Sequence, residues 1–149
     1  MVGFGINPVI ARNAMEMRRE SRMTPEKVED AAFAIAMGDH HIIHVRVRGI
    51  WTPDIADRYW PAFHPFLIES RAHLGHAKAL IDRRGAPIMP MAMVEKMREG
   101  IVTYYAPGDR LALVVDSSPL KSQVRQSYPL ENLDAFLSYG AALAWLENS

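Results

Sequence analysis

The sequence predicts a single layered α/β domain in the order ββαβαβαβα. Its sheet is five-stranded and mostly parallel, with an antiparallel strand at the N-terminal edge and helices in the crossovers. Three observations carry this. Residues 41–48 alternate with period two, setting Ile43, Val45 and Val47 against His44, Arg46 and Arg48. Two short continuous apolar runs, Ala79-Leu80-Ile81 and Leu111-Ala112-Leu113-Val114-Val115, suit strands buried on both faces. Stretches with helical spacing lie between and after them, each opened by a helix-start signal or an apolar stripe.

Residues 1–30 read as a partly helical N-terminal extension, and residues 31–149 as the domain. In the extension, Arg12, Arg18, Arg19, Arg22 and Lys27 are balanced by Glu16, Glu20, Glu26, Glu29 and Asp30. Ala11 to Arg22 reads as a charged helix, and Thr24-Pro25-Glu26 as an N-cap with proline at N1. Such a segment packs lightly on the domain or on a partner subunit. Ala31–Met37 is the first strand, Gly38-Asp39 the turn, and the alternating segment closed by Gly49 the second. Thr52-Pro53-Asp54 combines a hydroxyl cap, an N1 proline and an acid facing the macrodipole. The helix it opens carries Ile55, Tyr59, Phe63, Phe66 and Leu67 at near-helical spacing. Pro61 and Pro65 each remove a donor, so two helical pieces or a kink near Trp60 are expected, ending before Gly75.

After the strand at 79–81, Met91–Tyr105 repeats apolar residues at Val94, Met97, Ile101 and Tyr104 or Tyr105. Gly100 within it costs about 1 kcal/mol against alanine, which predicts a soft point. Asp116-Ser117-Ser118-Pro119 follows the fourth strand and opens a helix through Tyr128. Leu133–Leu137 is the fifth strand, and Ser138 caps a last helix, Tyr139–Glu147.

Composition limits function. The 149 residues correspond to one domain, and Lys plus Arg equals Asp plus Glu at 17 each. With no charge excess to release counterions, nucleic-acid binding through a basic surface is not expected. The absence of cysteine removes thiolate nucleophiles, disulfides and cysteine-ligated metals. No run of about 18 apolar residues exists for a membrane span. The first residues lack the layout of a signal peptide, so a cytoplasmic location is expected.

A resemblance enters at five segments. They are Val45-Arg46-Val47-Arg48-Gly49 leading to Thr52–Asp54, then Ala79-Leu80-Ile81-Asp82-Arg83-Arg84-Gly85, then Arg110–Val115. The last two are Phe136 and Ala141-Ala142-Leu143-Ala144-Trp145-Leu146. Together, over roughly residues 31–147, they resemble the SpoIIAA-like (STAS-like) family. That family shares its wider fold with anti-sigma-factor antagonists and Sec14-type lipid carriers. The resemblance implies the fold, while the family has no well-defined biochemical activity. The antagonists carry a phosphorylatable Asp-Ser-Ser-Gly or similar after the third strand. Here that region is Gly85-Ala86-Pro87-Ile88-Met89-Pro90-Met91, with no hydroxyl, and Asp116-Ser117-Ser118-Pro119 comes one crossover later. The serine switch is therefore not expected.

Candidate chemistry is sparse. His40, His41 and His44, and separately His73 and His76, lie close in sequence. Gly75 interrupts the second pair, and His41 and His44 point to opposite strand faces, so no metal is expected. No cofactor and no nucleophile or paired-carboxylate arrangement is indicated, so the chain is not expected to be an enzyme. The C-terminal strand ends bring Asp82, Arg83 and Arg84 near Asp116, Ser117 and Ser118, a candidate anion or polar site. Simple helix capping and local pairing are the alternative there. Met89, Met91, Met93 and Met97 form a flexible apolar cluster, and Trp51 and Trp60 flank the preceding helix. These six residues are candidates for a ligand- or partner-binding surface, or for ordinary core. Two functions follow as expectations. The first is a regulatory module acting through a protein partner or as a homodimer. The alternative is a carrier or sensor of a small apolar, lipid-like ligand, which requires an apolar cavity beneath Ile88–Met97.

Overall fold

The computed structural model describes residues 24–128 and 130–148. Its strands are β1 (Val28–Glu29), β2 (Phe33–Met37), β3 (Ile42–Val47), β4 (Lys78–Asp82), β5 (Arg110–Val114) and β6 (Leu133–Phe136). Its helices are α1 (Pro53–Leu74), α2 (Met91–Tyr104), α3 (Ser118–Ser127) and α4 (Tyr139–Glu147). The strands form one sheet in the order β1-β2-β3-β4-β5-β6. β1, β2 and β3 pair antiparallel, and β3 through β6 pair parallel.

The predicted order of elements holds, with three corrections. The sheet has six strands rather than five, because the two-residue β1 adds to the edge through Val28↔Ile35 and Glu29↔Ala34. Thr24-Pro25-Glu26 starts no helix. Residues 24–27 lead straight into β1, and Asp30 fixes the turn by accepting from Ala32 N at 2.9 Å while its own N–H donates to Phe33 O. Pairing along β2 thus outweighs a local helix-start signal. The segment Ala11–Arg22 lies outside the described residues. Lastly, α1 runs unbroken for 22 residues through Pro61 and Pro65. Both prolines lie on the exposed side, where water can satisfy the carbonyls they leave unbonded.

Each parallel crossover moves one strand further in the same direction. Connections of one hand therefore put α1, α2 and α3 on a single face. The pleat sends Ile43, Val45, Val47, Ala79, Ile81, Leu111, Leu113 and Ala135 towards them. Phe63, Phe66 and Leu67 of α1 are fully buried there, each contributing about 1.5–3 kcal/mol of apolar burial. An aromatic group binds α1 to α2. Trp60 stacks on Tyr104 with centroids 5.1 Å apart, and Tyr59 and Phe63 pack beside it. Gly100 lies directly against the Trp60 indole, so this glycine marks a close approach and not a soft point.

Among the described residues, the other face is covered by α4. Ala142 and Leu146 pack on Ile42, Leu80, Ala112 and Val114, and α4 lies across β4, β5 and β6. Ser138 caps it by accepting from Ala141 N at 3.2 Å. At the opposite end of the strands, buried Asp109 ties three segments together. It accepts from Arg71, from Ala77 N at 2.8 Å and from Ala106 N at 2.8 Å.

Candidate functional site

Beyond their C-terminal ends, β3, β4 and β5 meet the loop of residues 83–90. Val47, Ile81 and Leu113 form the floor of a small cavity, Met97 and Ile101 of α2 one wall, and Trp51, Tyr59 and Tyr128 the rest. Met89 and Arg83 complete the lining. Its volume is about 50 Å³. A smaller cleft beside it is bounded by Gly49, Ile50, Pro87, Ile88 and Pro90, and it shares Trp51, Arg83 and Met89 with the first cavity. Those three side chains line both.

Arg83 is the one charged residue of that lining. Strand alternation continues past Asp82, so Arg83 turns to the helix side while Asp82 and Arg84 turn to the other. Arg83 is 6% exposed. Its Nη2 donates to Pro87 O at 3.2 Å, and its Nε has no hydrogen-bond partner. Burial pushes the guanidinium below its ordinary range, opposed by Tyr128 and Asp116. Asp116 is held elsewhere, accepting from Gly85 N at 2.8 Å. Gly85 has φ +83, a conformation that lets the loop turn back over the cavity.

A second feature lies on the α4 face, where the outward sides of β2 and β3 form an open groove of about 230 Å³. Ala34, Ala36, Leu80, His44, Arg46, Asp82 and Tyr139 line it. His44 Nδ1 and the Tyr139 hydroxyl are 2.6 Å apart, and two guanidiniums share the Asp82 carboxylate. Arg84 Nη2 lies 2.8 Å from Asp82 Oδ2 and Arg46 Nη1 lies 3.2 Å from it. Burial raises the Asp82 carboxyl, but the bonds from Arg84 outweigh it and hold the group below the usual carboxylate range. Burial pushes His44 down and Tyr139 up. Gly38 gives His44 its place, since a Cβ there would meet the imidazole at 2.4 Å.

The predicted residues separate accordingly. Met89, Met97 and Trp51 converge on the small cavity. Met93 is buried among core residues and Met91 is exposed. Trp60 sits apart, among the α1–α2 aromatics. Of the strand-end group, Asp82 and Arg84 pair in the groove while Arg83 enters the cavity. Ser117 caps α3, accepting from Leu120 N at 3.3 Å, and Ser118 is its first helical residue. Because the strand order never reverses among β3–β6, no switch-point crevice gathers these groups. Sequence reasoning did not find the His44–Tyr139 pair, which is 95 residues apart. It also did not find the stacked His41 and His73 rings, 3.8 Å apart, beside buried Glu69. The pleat phase of His44 and Arg46 was the available signal for the groove. Among the described residues, no three His, Cys, Asp or Glu side chains gather for a metal ion. Nor is any helix among them long and apolar enough to cross a membrane.

No protein-family model matches the chain, and no curated protein matches it. Among solved structures, it is similar to the crystal structure of an uncharacterized protein from the DUF3478 family, with a SpoIIAA-like fold, from Shewanella loihica PV-4. The two superpose with a TM-score of 0.56 at 17% identity, covering 82% of this chain and 99% of the other. The fold is therefore SpoIIAA-like, as the resemblance implied.

Proposed function

We propose that this chain is a non-enzymatic binding module that takes up a small apolar molecule in the cavity beneath Met89 and Met97, as a carrier or sensor. One observation carries the reading. The cavity required by the second of the two expected functions lies under that loop, is nearly all apolar, and has two flexible methionines, Met89 and Met97, in its lining. Apolar cavities of this kind stay dry and accept apolar guests.

The test is a methyl spectrum of the protein under xenon pressure. Shifts confined to Val47, Ile81, Ile101, Leu113, Met89 and Met97 support the reading. Unchanged methyls, or shifts centred on Ile42 and Leu80 under α4, overturn it.

A second reading, action through a protein partner or a second copy, is favoured by a different observation. Ile50 and Ile88 are 72% and 59% exposed on the smaller cleft, and Met91, 65% exposed, follows in the chain. Large apolar side chains gathered at one cleft suit an interface. Native mass spectrometry checks it: a multiple of the chain mass that reverts to single chains in the Ile50→Ser/Ile88→Ser double variant supports it, and a strictly monomeric chain argues against self-association.

A further inference from the structure

We propose that the open groove on the α4 face binds a small planar aromatic carboxylate, its ring on the shelf of Ala34 and Ala36 and its carboxylate on Arg46. The site is separate from the cavity beneath the methionines and does not depend on that reading. α4 lies across β4, β5 and β6 and leaves the outward sides of β2 and β3 as a groove of about 230 Å³. Register builds it from two cross-strand rows, one of Glu29, Ala34, Arg46 and Asp82, the other of Ala36, His44 and Leu80. Asp82 is buried and accepts from Arg84 through both Nε and Nη2, at 2.9 and 2.8 Å. Arg46 reaches the same carboxylate through Nη1 alone, at 3.2 Å. Two guanidiniums thus share one carboxylate, and the Nε–Nη2 edge of Arg46 has no partner among the described residues. A carboxylate fits that planar edge with two parallel bonds. The Arg46 side chain is 51% exposed, so those donors are open to a guest.

Charge and shape narrow the class. Burial pushes the His44 imidazole down, so near neutral pH the groove carries one net positive charge, which a monoanion balances. Glu29, next to Ala34 in its row, is already held by Lys27 at 2.9 Å and Arg48 at 3.7 Å. Asp39 is felt at His44, the end of the groove away from Arg46, which sets the carboxylate at the Arg46 end. Ala34 and Ala36 extend no further than Cβ, and Leu80 continues the apolar floor, so the surface is flat and suits a ring. Arg46 and His44 stand two residues apart on one strand, about 7 Å, close to the length of a benzoate. The Tyr139 ring flanks the same space, with Arg84 Cζ 5.4 Å from its centroid, and offers an aromatic neighbour.

Benzoate, its neutral isostere benzamide and the non-planar cyclohexanecarboxylate are the probes. Each is titrated into the full chain and followed by the Ala34 and Ala36 methyl signals and His44 Hε1. A guest this small on an open groove should bind with a Kd on the order of 1 mM for benzoate. Benzamide should bind about ten-fold more weakly, for want of the charge-assisted pair, and cyclohexanecarboxylate about two- to ten-fold more weakly. Arg46→Gln should remove the preference for benzoate over benzamide, and Ala36→Leu, which fills the shelf, should abolish binding of both. No saturable shift, or shifts centred on Val47, Ile81 and Leu113, overturns the site. Benzamide binding as tightly as benzoate, or a preference that survives Arg46→Gln, overturns the role of the carboxylate and Arg46. Cyclohexanecarboxylate binding as tightly as benzoate overturns the planar class. The three probes on the unmodified chain decide the matter even if a variant does not fold.

Discussion

Replacing Gly100 with alanine sets two known effects against each other. In a helix interior the change is worth about 1 kcal/mol in favour of alanine. Here the new Cβ would stand 2.1 Å from Trp60 Cε2, 2.2 Å from Nε1 and 2.4 Å from Cζ2. Relief requires the indole to move by close to an ångström. It is held face-on by Tyr104 and edge-on by Tyr59, Phe63 and Tyr105. Overpacking a well-filled core costs about 1–3 kcal/mol, and so rigid a neighbour puts this site at the upper end. The net loss should be about 1–2 kcal/mol, lowering Tm by roughly 3–8 °C for a domain of this size. Urea denaturation of Gly100→Ala, Trp60→Phe and the double variant measures it. In the Trp60→Phe background, where the offending ring atoms are gone, Gly100→Ala should be neutral or stabilising. A single variant as stable as the parent, or a cycle without coupling, would refute the packing argument.

Three further outcomes follow. Asp109→Asn should destabilise the fold by about 3 kcal/mol near neutral pH, because Arg71 loses its buried counter-charge. Burial raises the Asp109 carboxyl, but hydrogen bonds from Arg71 and the Ala106 and Ala77 N–H groups outweigh it and lower its pKa. Its contribution is therefore complete above the unfolded value of about 3.9 and lost as pH falls through the lower folded value, so the gap between variant and parent should close in acid. The His44 imidazole, pushed down by burial, should titrate below about 6.5 when followed by its Hε1 shift. Protonation then favours the unfolded chain, so stability should fall as pH drops from about 6.5 towards the folded value, and a His44 that titrates above 6.5 would contradict the described burial. Ser138→Ala should cost about 1 kcal/mol in thermal unfolding, and Ser138→Asp, which keeps the cap, should cost little.

Patterns local in the chain were legible. The period-two strand, here Ile42–Val47 with His41 in the turn before it, the two apolar runs and the Ser138 cap stand where the residues indicated, and Ser117 is the one of the candidate caps at 116–118 that caps α3. What was not legible depends on partners distant in sequence. Val28 and Glu29 become a strand only because β2 offers an edge, and Pro61 and Pro65 are tolerated only because their side of α1 faces water. Gly100 looks like a weakness until the Trp60 ring is placed against it. In the candidate site, the methionine cluster borders the cavity, but periodicity could not say which of its members faced inwards. Asp82, Arg83 and Arg84 looked like one polar group, yet the pleat divides them between the two faces of the sheet. The pairing of His44 with Tyr139 joins β3 to a helix that begins 95 residues later, and no local signal reaches so far.

The helical cover on one side of the sheet bears on what a shortened chain would expose. All the described strands precede α4, so a chain ending just before Tyr139 keeps every one of them but lacks the helix that packs on Ile42, Leu80, Ala112 and Val114. Those side chains would then stand bare on one face, a contiguous apolar patch of the kind that invites aggregation. A stop codon just before Tyr139 would thus turn part of the core into a surface for other chains.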